Sequence, residues 1–181
     1  MTKNTLPKIV LVGHKSCGKT YFGKHLAQSL NLPFIDSDCL VEKLYYLRHQ
    51  KKLNCRQIFK KEGEERFRFL ETLAIQEASL YRSAVIALGG GSLMKEENQK
   101  LLQKTEKIVY LHANKELIKN RLFSQPLPPF LNSPSPEIAF NKMFEERNEM
   151  YTKIARFTIS LCDKKNEQVL AELKQIVEKN H

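Results

Sequence analysis

The sequence predicts an α/β fold, a parallel sheet with helices on both faces, on three observations. Short, β-branched apolar runs alternate with longer stretches of helical period along the whole chain. The first run closes on a glycine-rich loop, GHKSCGKT (13–20). The next two end at FIDSD (34–38) and LGGGS (88–92), acidic or glycine-rich turns of the kind that border ligands. Continuous apolar runs of this length read as strands buried on both faces, and crossover helices must join them. Ligands of such sheets sit beyond the carboxyl ends of the strands.

Taken in order, the strand candidates are KIVLV (8–12), LPFID (32–36), AVIAL (84–88), KIVYLH (107–112) and RFTISL (156–161). Helical patterns fill the intervals at roughly 18–30, 38–49, 54–81, 94–104, 114–123, 136–152 and 165–179. Five of the seven prolines fall between 126 and 136, in QPLPPFLNSPSP. Proline at that density suits neither a helix interior nor a central strand, so this segment is expected to be an exposed loop. It is either a plain linker or a lid over the site.

GHKSCGKT fits G-x-x-x-x-G-K-[ST], the P-loop. Its glycines let backbone N–H groups converge on phosphate, and the following helix adds the positive end of its dipole. Lys19 can reach the β- and γ-phosphates, and the Thr20 hydroxyl can ligate Mg²⁺. Asp36 and Asp38 stand two apart, which on a strand puts both carboxylates on one face. They are a turn and helix cap, or else a metal-shell carboxylate beside a general base. In GEERFRFLE (63–71), Arg68 and Glu71 are helical neighbours: a surface ion pair, or a braced guanidinium facing a substrate carboxylate. Gly89, Gly90 and Gly91 leave a bare backbone for a ligand to lie against. Arg147, in EERNEMYTKIA (145–155), reads on its own as a solvated helical arginine.

Over about residues 7 to 170 the ordered set of P-loop, FIDSD, EERFR..LE, GGG and R...Y..IA resembles the shikimate kinase family. That resemblance implies a three-layer α/β/α fold of the P-loop NTPase type, with a five-stranded parallel sheet and a flexible lid. It implies one domain over 1–181, with substrate-binding helices at about 38–81 and the lid at about 122–135. It implies transfer of the ATP γ-phosphate to the 3-hydroxyl of shikimate, with Mg²⁺ held by Thr20 and, in the outer shell, Asp36. By the same resemblance Lys19 and Asp38 are catalytic, Asp38 also binding the shikimate hydroxyls. Arg68 and Arg147 clamp the carboxylate, Glu71 braces Arg68, and Gly89–Gly91 lie under the substrate. Gly13, Ser16, Cys17, Gly18, Lys19, Thr20 and Tyr21 surround the nucleotide, with Arg121 on the adenine and Gln125 in the lid.

Two departures accompany the resemblance. Gln125 stands where the family has a lid arginine that touches the phosphate, leaving Lys15 and Lys119 as candidate substitutes. Glu167 stands where the adenine loop often has proline. A related P-loop kinase of the gluconate type is the alternative, and so is a catalytically weak nucleotide-binding relative.

The 181 residues suffice for one well-buried core, and the composition, 41% hydrophobic and 28% charged, is that of a globular chain. The net charge of +10 has no dense basic run or basic–aromatic interleaving, so a nucleic-acid partner is not expected. Anionic small substrates suit the balance equally well. Cys17, Cys39, Cys55 and Cys162 show no C-x-x-C spacing, and His14, His25, His49, His112 and His181 make no ligand pair with them. The N-terminus lacks a leader-like apolar core and no run approaches a membrane span, so the cytoplasm is expected. A monomer is expected as well, though not from these features.

Overall fold

The computed structural model describes residues 8–105 and 107–179; the N-terminal segment read for a leader, and His181, lie outside them. Strands β1 (Lys8–Val12), β2 (Phe34–Asp36), β3 (Ala84–Ala87), β4 (Lys107–His112) and β5 (Phe157–Ser160) form one parallel sheet in the order β2-β3-β1-β4-β5. Helices α1 (Lys19–Leu30), α2 (Ser37–His49), α3 (Cys55–Ser79), α4 (Glu96–Leu102), α5 (Lys115–Phe123), α6 (Pro136–Ile154) and α7 (Asn166–Glu178) surround it. β1 pairs with β3 on one side and β4 on the other, so the chain changes direction at the centre of the sheet. Loops leaving the carboxyl ends there part from one another and open a crevice.

The layers follow from β1. Its residues alternate between faces, and Ile9, Val10 and Leu11 are fully buried. Ile9 and Leu11 pack with Leu26, Ile118 and Leu173 of α1, α5 and α7. Val10 joins Ile75, Leu102 and Tyr151 of α3, α4 and α6 on the opposite face. Each such side chain contributes about 1.5–3 kcal/mol relative to exposure. A separate cluster of Val41, Tyr45, Ile58, Phe67, Leu70 and Ala74 binds α2 to α3, which gives the helices flanking the crevice a core of their own.

Several expectations are corrected. α3 is not continuous, because Gly63 breaks it at φ 82°, so the segment bearing Arg68 starts afresh after that residue. Residues Ser92–Met94 form a separate 3₁₀ turn, leaving α4 shorter than the pattern suggested. The proline-rich segment is not exposed throughout: Pro129–Leu131 form a 3₁₀ turn, and Pro128 and Leu131 are buried. The cause is apolar, since Leu127, Phe130 and Leu131 all pack on the α1–α5–α7 face of the core.

Candidate active site

The loop after β1 has the strained backbone that a phosphate cradle needs. Gly13 has φ 146°, and a Cβ there would lie 2.8 Å from the Leu111 carbonyl oxygen. Gly18, at φ 104°, caps α1, so the helix dipole points into the loop. Lys19 is buried, and its Nζ donates to the carbonyls of Gly13 and His14, each at 2.8 Å. Cys17 lies beneath the loop in the core, with Sγ 3.8 Å from that ammonium.

Asp36 ends β2 and caps α2. Its Oδ1 accepts from the Asp38 N–H at 3.0 Å, and its Oδ2 accepts from the Thr20 hydroxyl at 2.8 Å. The two aspartates therefore meet because a helix begins between them, not because they share a strand face; this corrects the strand argument. Ser37 adds a tie between α2 and the glycine wall, its Oγ accepting from the Gly89 N–H at 2.8 Å. Burial raises the Asp38 carboxyl above its ordinary range, and the neighbouring Asp36 charge adds to the rise. Lys19 and Lys15 oppose it.

The glycine wall is bare because charged groups crowd it. A Cβ on Gly89 would stand 2.5 Å from Asp38 Oδ1, and one on Gly91 would stand 2.8 Å from Arg68 Nη1 and 3.1 Å from Arg147 Nη2. Two guanidiniums thus converge on one point of backbone. Arg68 is braced by Glu71 at 2.6 Å, a carboxylate only 5% exposed. Arg147 is buried rather than solvated, overturning the reading of it in isolation. Burial lowers its affinity for the proton, and the Arg68 charge does too. Among the described residues it has no ion-pair partner; the Phe130 ring covers it, 4.8 Å from Cζ. Tyr151, one turn along α6, donates its hydroxyl to the Gly90 carbonyl and ties this helix to the wall.

These groups line one cavity of about 570 Å³, which extends from Ser16, Lys19 and Thr20 through Asp38 to Arg68 and Arg147. The proline-rich segment lines a side of it with Gln125, Pro126, Pro128, Pro129 and Phe130. Arg56, in the first turn of α3, donates from Nη2 to the carbonyls of Pro126 and Leu127. Arg121 is fastened to the P-loop, its Nη1 donating to the Ser16 carbonyl at 2.8 Å.

A cavity with a phosphate cradle at one end and paired guanidiniums at the other agrees with three comparisons. The family model described as shikimate kinase matches residues 15–178. The chain belongs to the shikimate kinase family. A shikimate kinase of Caldanaerobacter subterraneus subsp. tengcongensis is 37% identical over 168 residues, 93% of this chain and 94% of the relative. One from a Psychrobacter species is 35% identical over 161 residues, 89% and 86% of the two chains. The solved shikimate kinase from Acinetobacter baumannii in complex with shikimate superposes with a TM-score of 0.84 at 31% identity, covering 96% of this chain and 94% of that one. A gluconokinase from Sinorhizobium meliloti, at 17% identity and a TM-score of 0.59, shares the fold alone. The chain is accordingly an ATP-dependent phosphotransferase of the shikimate kinase family, built on the three-layer P-loop fold.

Of the residues that the shikimate kinase resemblance singled out, the cavity brings together Ser16, Gly18, Lys19, Thr20, Tyr21, Asp36, Asp38, Arg68, Glu71, Gly89, Gly90, Gly91, Gln125 and Arg147. Gly13 and Cys17 support the loop from below, and Arg121 lies behind it. Sequence reasoning gave no role to Arg56 or Tyr151. Tyr151 was detectable as the i+4 neighbour of Arg147 on a helix. Arg56 carried no local signal, because its partners are main-chain atoms 70 and 71 residues away. Of the candidate substitute cations, Lys15 lines the cavity, whereas Lys119 pairs with Glu137 at 3.2 Å. Among the described residues no group of three or more His, Cys, Asp or Glu could hold a metal. Thr20 and Asp36 are hard oxygen donors side by side at the phosphate end, which fits Mg²⁺ bound chiefly by phosphate and water.

Proposed function

We propose that this protein transfers the γ-phosphate of ATP to the 3-hydroxyl of shikimate, giving shikimate 3-phosphate and ADP. The observation that carries the substrate assignment is the pair Arg68 and Arg147 at Gly91: Arg68 is paired with Glu71 and the exposed Glu64, whereas buried Arg147 has no ion pair among the described residues, which leaves its charge in excess. Burying that excess positive charge is costly unless an anion completes it, and a planar carboxylate matches the guanidinium fork. Shikimate presents such a carboxylate together with the hydroxyls that Asp38 would accept from.

In this reading Lys19 and the P-loop N–H groups bind the β- and γ-phosphates, flanked by Ser16, Cys17, Gly18 and Tyr21. Arg121 flanks the adenine, and residues 122–135 act as the lid over the substrate-binding helices at 38–81. Thr20 would hold Mg²⁺, with Asp36 in its outer shell, and the ion would neutralise charge on the phosphoryl oxygens. Asp38 takes the proton from the attacking hydroxyl, and its raised proton affinity suits it to that role. Gly89–Gly91 let the ring lie flat against main chain. The remaining expectations, a cytoplasmic monomer with no nucleic-acid or membrane partner, stand as part of the same proposal; no helix among the described residues is long and apolar enough to cross a membrane.

The test is ADP release with ATP and Mg²⁺ in the presence of shikimate, gluconate or no acceptor. Turnover with shikimate and a blank-level rate with gluconate is the expected result. Equal turnover with gluconate would assign the sister activity, and binding of ATP with no acceptor-dependent turnover would make this a disabled relative.

A further inference from the structure

Phosphoryl transfer spreads negative charge over the moving group, and a kinase site must meet it with cations placed in advance. The lid offers Gln125, which is neutral. The cations around the cavity are mostly committed elsewhere. Lys19, which the kinase reading already gives to the β- and γ-phosphates, is held by two loop carbonyls, and Arg121 by the Ser16 carbonyl. Arg68 is paired with Glu71, and Arg147 stands beside it at the far, substrate end. Arg56 spends its Nη2 on the lid carbonyls of Pro126 and Leu127, and Lys119 is paired with Glu137 outside the cavity.

Lys15 is different. It is exposed, lines the cavity, and among the described residues its Nζ has no hydrogen bond or ion pair. Its position is fixed by main chain: a Cβ on Gly90 would lie 3.0 Å from the Lys15 nitrogen. The residue therefore sits where the phosphate loop abuts the substrate wall, between the two ends of the cavity. Its charge is also felt at Asp38, where it opposes the effect of burial.

We propose that Lys15 is a further catalytic residue: from the P-loop it hydrogen-bonds the transferring phosphoryl group and supplies the positive charge that Gln125 does not. This rests on the kinase reading above. In the step, the acceptor oxygen forms its bond to the γ-phosphorus while its proton passes to Asp38. The bond from phosphorus to the β–γ bridging oxygen breaks, its electron pair leaving with ADP. Lys15 keeps its protons throughout and only donates hydrogen bonds.

The experiment compares the wild type with Lys15→Met, Lys15→Arg, and Lys15→Met combined with Gln125→Arg. Lys15 is exposed, so none of these changes disturbs the core. Lys15→Met is expected to lower kcat about 100-fold while the Kd values for shikimate and ADP stay within about twofold. Lys15→Arg should recover most of the rate, and so should the double variant, because the cation returns from the lid. A second readout needs no acceptor: the preference for a non-hydrolysable ATP analogue over ADP should fall about tenfold in Lys15→Met. A kcat within threefold of wild type, or a preference that does not change, would overturn the proposal. If the wild type itself failed to phosphorylate shikimate, the substrate assignment would fall, and the analogue-to-ADP preference would still decide the role of Lys15.

Discussion

Arg68 and Gln125 line the same cavity, yet their surroundings differ in kind. Arg68 is held at 2.6 Å by a buried carboxylate, on a helix whose other face belongs to the α2–α3 core. Arg147, opposite, is fixed by α6, which Tyr151 ties to the glycine wall. Gln125 is exposed, on a segment that the Arg56 guanidinium ties to the α2–α3 side through two carbonyls. The paired guanidiniums are thus held in place before any ligand arrives, whereas the proline-rich segment rests on the packing of Leu127, Phe130 and Leu131 and on a latch from Arg56 to its main chain. Preorganised charge suits recognition of a fixed carboxylate, and a main-chain latch suits a wall that must admit two substrates.

The largest expected effect comes from crowding the clamp. Gly91→Ala places a methyl 2.8 Å from Arg68 Nη1, and Arg68 cannot retreat without stretching its bond to Glu71. Displacing the carboxylate site by even a fraction of an ångström should lower kcat/KM for shikimate about 100-fold, with ADP binding unchanged. Equal losses for shikimate and ADP would mean that the glycine supports the whole cavity rather than the clamp.

Next in size is a stability effect where the P-loop rests on the clamp's helix. His14 is buried, stacked on Phe144 at 4.2 Å, and among the described residues neither ring nitrogen has a hydrogen-bond partner. Burial and the nearby Arg147 and Lys19 charges push its pKa down to about 3. Because the unfolded chain takes up a proton near pH 6.5 and the folded one does not, stability falls as pH drops from there towards 3. At pH 5 that loss is about 2 kcal/mol. His14→Phe should therefore gain about 2 kcal/mol on the wild type between pH 8 and pH 5, measured by urea unfolding. A pH-independent difference would contradict it.

The smallest effect probes the latch. Arg56→Ala removes the bonds to Pro126 and Leu127 and should lower kcat/KM about tenfold. Shikimate affinity in the absence of nucleotide should stay the same. Lysine at this position should restore only part of the loss, since one ammonium does not reproduce the planar fork. If Arg56→Ala weakened shikimate binding without nucleotide, the residue would belong to the clamp rather than to the lid.

The two regions also differed in how far the sequence revealed them. The P-loop and the Arg68–Glu71 pair were legible because their chemistry is local: a fixed spacing, and one helical turn. The strand order is that of a doubly wound sheet, and the five apolar runs announced its members to within a residue or two. For Asp36 and Asp38 the cap alternative held and the strand-face argument did not, since Asp36 caps the helix that carries Asp38. Arg147 looked solvated because nothing near it in sequence hints that the Gly91 backbone and the Phe130 ring will cover it. The lid's buried side was hidden by its prolines, which signal a loop but not where Leu131 goes. Arg56 carried no pattern at all, and Lys15 was a candidate only by its place in the P-loop; its position beside Gly90 exists only once distant segments meet.

In the proposed function Arg68 and Arg147 read a carboxylate. This is tested most directly by kcat/KM for shikimate and for the analogue whose carboxylate is replaced by hydroxymethyl, in the wild type and in Arg147→Ala. The wild type should discriminate by at least about 100-fold, and Arg147→Ala should lose most of that discrimination by falling on shikimate alone. If both enzymes preferred shikimate by the same factor, the paired guanidiniums would not be the carboxylate site.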